Sequence, residues 1–195
     1  MTEQKRYYAG IGSRQTPEPI LKVMEQIGKF LAERGWILRS GGADGADSAF
    51  ERGCDAGQGK KEIYLPWKGF NNNSSDLFLK SHHLKGTKEK AFEIASQYHP
   101  VWEQLSYGAQ CLMARNVYQV LGQDLATPVS MVICYNLGGF THGGTSQAMR
   151  IARDRAIPIF RLNDEEELVR IKIHLARGLD FLESLQYNLF EEECA

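Results

Sequence analysis

The feature that most restricts the fold is an alternation: a short apolar run, a loop containing glycine and a helix-patterned stretch recur along the chain. Tyr7-Tyr8-Ala9-Gly10-Ile11 leads into Gly12-Ser13-Arg14-Gln15-Thr16-Pro17, with Thr16 placed to cap a helix and Pro17 at its first position. That helix carries Ile20, Met24, Ile27 and Leu31 on one face and stops at Gly35. Trp36-Ile37-Leu38 reads as a second strand, followed by Ser40-Gly41-Gly42-Ala43-Asp44-Gly45-Ala46-Asp47 and a helix to about Ala56. Glu62 to Leu65 gives a third strand, and a long insertion, about 66–105, is expected to be irregular. The pattern resumes with a helix around Ala109 to Leu121. Val129 to Tyr135 then forms an almost unbroken apolar run that suits a strand buried on both faces. Asn136 to Gly144 is another glycine-rich loop, Thr145 to about Ala156 a helix, and Ile157 to Phe160 a last strand. A C-terminal helical segment is expected at about 165–185, ahead of the acidic Glu191-Glu192-Glu193. This order predicts an α/β fold, a mostly parallel sheet with helices on both faces, as a single domain over 1–195.

Parallel sheets place the loops that follow their strands at one end, where ligands bind beside the point at which strand order reverses. The three glycine loops can therefore meet at one site although they are far apart in sequence. Net charge bounds what such a site can bind: with 23 basic and 24 acidic residues the formal charge is −1, so no global positive field attracts nucleic acid and any such contact needs a local patch. A polar N-terminus, Met1 to Arg6, and the lack of a membrane-length apolar run lead to the expectation of a cytoplasmic protein with no membrane partner. Cys54, Cys111, Cys134 and Cys194 show no CxxC or zinc spacing, so reduced thiols are expected. His82-His83 has no further ligands at metal spacing, and neither metal nor cofactor is expected.

The strongest chemical signal is His142-Gly143-Gly144-Thr145-Ser146, between a buried strand and a helix. Glycines there let the backbone approach an anion, and unpaired helix N–H groups point outward. The bland alternative is a tight turn with Thr145 capping the helix. Gly12-Ser13-Arg14 adds a hydroxyl and a guanidinium that can fork onto phosphate, or simply a solvated loop arginine. Gly41 and Gly42 repeat the backbone logic. Asp44 and Asp47 would repel phosphate placed against them, so they read as helix caps or as partners of a ribose hydroxyl or a base. Arg115-Asn116 lies in a helix whose apolar residues fall mainly on another face, which by itself reads as a surface salt bridge. Trp67, Phe70, Phe78, Phe92, Tyr98 and Trp102 offer either base-stacking surfaces or a satellite core.

Taken in order, Gly12-Ser13-Arg14, Ser40 to Asp47, Arg115-Asn116 and Gly143-Gly144-Thr145 resemble the motifs of the DNA-processing protein A (Smf) family, across most of residues 7 to 160. That family shares a superfamily with the LOG-type phosphoribohydrolases. The resemblance implies a Rossmann-like fold with Gly12, Ser13, Arg14, Gly41, Gly42, Arg115, Asn116, Gly143, Gly144 and Thr145 around a ligand cleft. It also implies single-stranded DNA as partner, a homodimer and a recombinase that the protein helps to load. Because little sequence follows the Rossmann-like part, a compact, phage-encoded version is expected. The phosphoribohydrolases place a glutamate shortly after the Gly-Thr loop, whereas this chain continues Ser146-Gln147-Ala148. Three readings remain open: binding of single-stranded DNA or a nucleotide through phosphates, with the insertion covering it; cleavage or transfer of the base of a nucleoside monophosphate with Asp44 or Asp47 as the carboxylate; and sensing or sequestering of a signalling nucleotide.

Overall fold

A computed structural model describes residues 5–141 and 143–178. It shows an α/β, Rossmann-like architecture: five parallel strands, β1 (Arg6–Gly12), β2 (Trp36–Ser40), β3 (Lys61–Ile63), β4 (Met131–Tyr135) and β5 (Ile159–Arg161), in the order β3-β2-β1-β4-β5. Tyr8 sits beside Ile37's neighbour Leu38 on one side and Met131 on the other, and Gly12 ends opposite Tyr135. The helices are α1 (Glu18–Ala32), α2 (Ala46–Ala56), α3 (Lys88–Gln97), α4 (Tyr107–Leu121), α5 (Gly143–Asp154) and α6 (Glu165–Arg177).

Strand alternation decides which helices go where. Tyr8, Trp36, Leu38, Met131 and Ile133 face one side and are covered by α1, α2 and α6, through Met24, Ile27, Phe50 and Ile171 among others. Ala9, Ile11, Val132 and Cys134 face the other side, under α3, α4 and α5, through Ile94, Val117, Val120 and Met149. Every residue of β2 and β4 is buried, as expected for strands covered on both faces.

Within that frame several local expectations give way. Thr16 does not cap α1. Pro17 occupies the cap position, its carbonyl accepting from Ile20 and Leu21, and the Thr16 hydroxyl donates to the Ser13 carbonyl at 2.7 Å, tightening the turn after β1. The insertion is not irregular throughout. Its 88–97 stretch is α3, because Ala91, Ile94 and Ala95 are spaced i, i+3, i+4 and meet α4 in the second core. Leu65, expected in β3, instead makes an isolated bridge to Phe78. α6 ends at Gly178, which takes the left-handed conformation (φ 69°) that a side chain would resist, so the helix stops there. The remainder of the expected 165–185 helix, the acidic Glu191-Glu192-Glu193, Cys194 and His142 lie outside the described residues. Cys54, Cys111 and Cys134 are buried thiols. No helix among the described residues is long and apolar enough to cross a membrane.

At the start of α6, the Asp164 carboxylate accepts from the amides of Glu166 and Glu167 at 3.1 and 3.2 Å. Asp164→Ala is expected to lower stability by about 1 kcal/mol, the usual worth of a helix cap, read as a shift in urea midpoint without a change in slope.

Candidate functional site

Strand order reverses at β1: the chain moves outward through β2 to β3, then crosses back over the opposite face to β4 on β1's other side. The loops after β1, β2 and β4 thus converge at one end of the sheet, at the switch point where open parallel sheets bind ligands. A cavity of about 340 Å³ lies there, lined by Ile11 and Arg14 from β1 and its loop, Ala43 from the β2–α2 turn, Asp47 from the first turn of α2, residues of α4 including Arg115, Asn116 and Gln119, and Gly144 and Thr145 of α5.

The centre of this cavity is an ion pair. Arg115 is only 6 % exposed and Asp47 4 %, and Arg115 Nη1 lies 3.4 Å from Asp47 Oδ2. The surface salt bridge expected at Arg115 is therefore a buried one. The residues from Ala114 to Leu121 on α4 are all buried, so its polar side chains had to find partners inside the protein. Asp47 Oδ2 also accepts from the Ala43 amide at 3.3 Å. Burial pushes the Asp47 carboxyl above its usual range, and the Arg115 guanidinium and the Ala43 and Gly12 amides hold it partly back. Burial works against the charge on Arg115 too, offset by Asp47 and reinforced by the nearby charge of Arg14. Arginine stays protonated under such pressure, so the pair remains a guanidinium facing a carboxyl whose ionisation is opposed by its surroundings.

One donor of that guanidinium is unmet: Arg115 Nε is buried and has no hydrogen-bond partner among the described residues. Gly41 explains how the group fits. A β-carbon there would lie 1.2 Å from Arg115 Nη1 and 2.5 Å from Gln119 Nε2, so the bare backbone is what leaves room for both side chains. Arg14, by contrast, is exposed, and no hydrogen bond or ion pair ties its side chain among the described residues.

Asn116 and Gln147 form a relay behind the cavity. Gln147 Nε2 donates to the Ala95 carbonyl at 3.1 Å. Asn116 Nδ2 donates to Gln147 Oε1 at 3.2 Å and to the Gly144 carbonyl at 3.1 Å. Gly144 permits this approach, since a β-carbon on it would sit 2.9 Å from Asn116 Nδ2. The loop before α5 is fastened separately: Asn136 Nδ2 donates to the Gly139 carbonyl at 2.7 Å and to Ser146 Oγ at 2.9 Å, and Arg150 donates to the carbonyls of Phe140 and Tyr98.

Of the residues expected around the cleft, Arg14, Arg115, Asn116, Gly144 and Thr145 line it, and Asp47 joins them. Thr145 lies in the first turn of α5 and so does not occupy a cap position. Gly12 and Gly41 back the cavity through their packing, whereas Gly42 (φ 63°) shapes the turn against Leu65, Asn73 and Ile63. Ser13 Oγ accepts from the Gln15 amide at 3.0 Å within its own turn. Asp44 is exposed and accepts from Asn71 Nδ2 at 2.8 Å, outside the cavity lining. Gly143 (φ 86°) begins α5 on the exposed side. The insertion does not line the cavity either. Its aromatic residues pack elsewhere: Phe92 against Trp102 and Tyr107, Trp67 against Phe70, while Phe70 reaches the site only as a ring 5.9 Å from the Arg115 guanidinium carbon. Gln119 and Gln147 were not legible as site residues. The signal was present as polar residues at buried helical positions, but no spacing rule says what faces them. Among the described residues no group of acidic, histidine or cysteine side chains could hold a metal.

No protein-family model matches the chain, and no curated protein matches it. Among solved structures, it is similar to the Moco Carrier Protein of Chlamydomonas rheinhardtii, with a TM-score of 0.50 and 18 % identity, over 91 % of this chain and 87 % of that one. DNA processing protein A from Streptococcus pneumoniae aligns with a TM-score of 0.48 and 18 % identity, over 80 % of this chain and half of that protein. At this identity, the likeness to the carrier protein is one of fold alone.

Proposed function

We propose that the cavity at the switch point binds the phosphate of a nucleotide, either free or within a single-stranded nucleic acid. The observation that carries this reading is the buried Arg115 guanidinium. It is held by Asp47 on one side, retains an unmet Nε donor, and shares its cavity with the untethered Arg14 and the first turn of α5. A buried cation with a spare donor favours an anionic acceptor, and phosphate matches both the guanidinium geometry and the helix terminus. The volume, about 340 Å³, and the absence of the insertion's aromatic side chains from the lining favour one nucleotide over a strand tracked by stacking.

A second reading is supported by Asp47. It is a cavity carboxyl whose burial favours the protonated form, the state a general acid needs for cleaving a nucleoside monophosphate at its base. Direct titration of AMP and of a fluorescent single-stranded oligonucleotide, with products checked for free base, separates these uses. Arg14→Ala is expected to weaken AMP binding about tenfold, the scale of one charge-assisted hydrogen bond. Unchanged affinity in this variant would remove Arg14 from the site. Steep salt dependence with the oligonucleotide would favour a strand, a shallow one a single nucleotide, and release of base an enzyme.

A further inference from the structure

We infer that Asn116 is a specificity residue that accepts a hydrogen bond from the ligand, so the cavity selects a phosphate ester whose sugar keeps a free hydroxyl donor, a ribonucleotide in preference to a deoxyribonucleotide. This rests on the phosphate reading above and specifies the ligand of that same cavity.

The argument starts from two backbone carbonyls, which can only accept. The Ala95 carbonyl requires the NH₂ end of Gln147, so Gln147 turns its Oε1 toward Asn116. That oxygen, together with the Gly144 carbonyl, requires the NH₂ end of Asn116, with both contacts within 3.2 Å. Neither amide can flip without setting like ends against each other, and Gln147 is fully buried, so water cannot replace the lost bonds. Both N–H groups of Asn116 are thus committed inward, and Oδ1, in a side chain that lines the cavity, is left without a partner among the described residues. Asn116, expected from the sequence to stand at the ligand cleft, can offer only an acceptor.

Its neighbours share the load. Arg115 and Arg14 supply the positive charge for an anion, whereas Asn116 Oδ1 and the Asp47 carboxyl supply acceptors. A bare phosphate, or a sugar with no hydroxyl in reach, would leave the Asn116 acceptor desolvated and unpaired, and a site built around a hydrogen-bonded hydroxyl discriminates strongly against the analogue that lacks it. The selection is held in place by Gln147, a positioning residue that touches no ligand atom.

The test is calorimetric titration of the intact protein with AMP, 2′-deoxy-AMP and 3′-deoxy-AMP, repeated with Gln147→Met. For the unaltered protein, one deoxy analogue is expected to bind at least about tenfold more weakly than AMP. In Gln147→Met the Asn116 amide loses one of the two acceptors that fix its orientation, leaving only the Gly144 carbonyl to hold it. The ratio should fall to within about threefold while AMP itself still binds, a change that general loosening of the fold would not produce selectively. Equal affinity of all three ligands for the unaltered protein would overturn the assignment of Asn116 and leave phosphate binding standing. No binding of any of them would overturn both. The first comparison needs no variant, so it decides the matter even if Gln147→Met does not fold.

Discussion

Replacing Arg115 with leucine is expected to destabilise the protein by about 3–5 kcal/mol at neutral pH, the effect of removing one partner from a buried ion pair. The large value comes from what is left behind: Asp47, 4 % exposed, would lose the guanidinium bonded to it and face either an unpaired buried charge or the cost of taking up a proton. The direction with pH follows. The Asp47 carboxyl is already raised by burial, and the Arg115 guanidinium is one of the influences holding it down, so the substitution raises it further. A carboxyl raised in the folded state contributes stability that is fully present below its unfolded value and is lost as pH rises through its folded value. Arg115→Leu should therefore be most destabilised at neutral pH and recover part of the loss as pH falls through the raised Asp47 value. Adding Asp47→Asn to Arg115→Leu should restore stability at neutral pH and flatten the pH profile. Urea unfolding of the three variants across pH measures this, and a loss for Arg115→Leu that does not vary with pH would show that Asp47 carries no charge in the folded protein.

Gly41→Ala is the smallest change expected to disable the site. The added methyl would lie 1.2 Å from Arg115 Nη1, far inside contact distance, and 2.5 Å from Gln119 Nε2. The end of an arginine can move, but here it is buried between Asp47 and the Phe70 ring, and displacement breaks the ion pair. A penalty of about 1–3 kcal/mol in stability is expected from overpacking, with AMP affinity reduced at least about tenfold because the guanidinium no longer occupies its place. Gly41→Ala with undiminished AMP affinity would mean that Arg115 does not contact the ligand. Gly86→Ala is a suitable control, since nothing lies within 4 Å of a β-carbon there and its backbone is not in the left-handed region.

The layered frame was readable from residue pattern because it depends on local chemistry. The almost unbroken apolar run ending at Tyr135 suited a strand covered on both faces, and β4 is buried at every position. The glycine loops after Gly12 and Ser40 marked strand ends correctly, and their convergence follows from parallel topology. α3 was harder, since its apolar triplet Ala91, Ile94 and Ala95 is short and flanked by turns and charges that resemble loop.

The site divides in the same way. Sequence by itself determined that Arg14, Arg115, Asn116, Gly144 and Thr145 would be candidates, because glycine loops at strand ends and the motif order select them. Tertiary structure alone separated the surroundings of Asp44 from those of Asp47. They stand three residues apart, yet one turns outward to Asn71 and the other is enclosed beneath α4. It also decided that Arg115 is buried and that Gln147, from α5, fixes which end of Asn116 meets the cavity. Helical spacing specifies which residues share a face, but what lies opposite that face depends on strand order. Here the return of the chain from β3 to β4 is what lays α4 over the start of α2, which carries Asp47, and brings an arginine and a carboxylate 68 positions apart into one cavity.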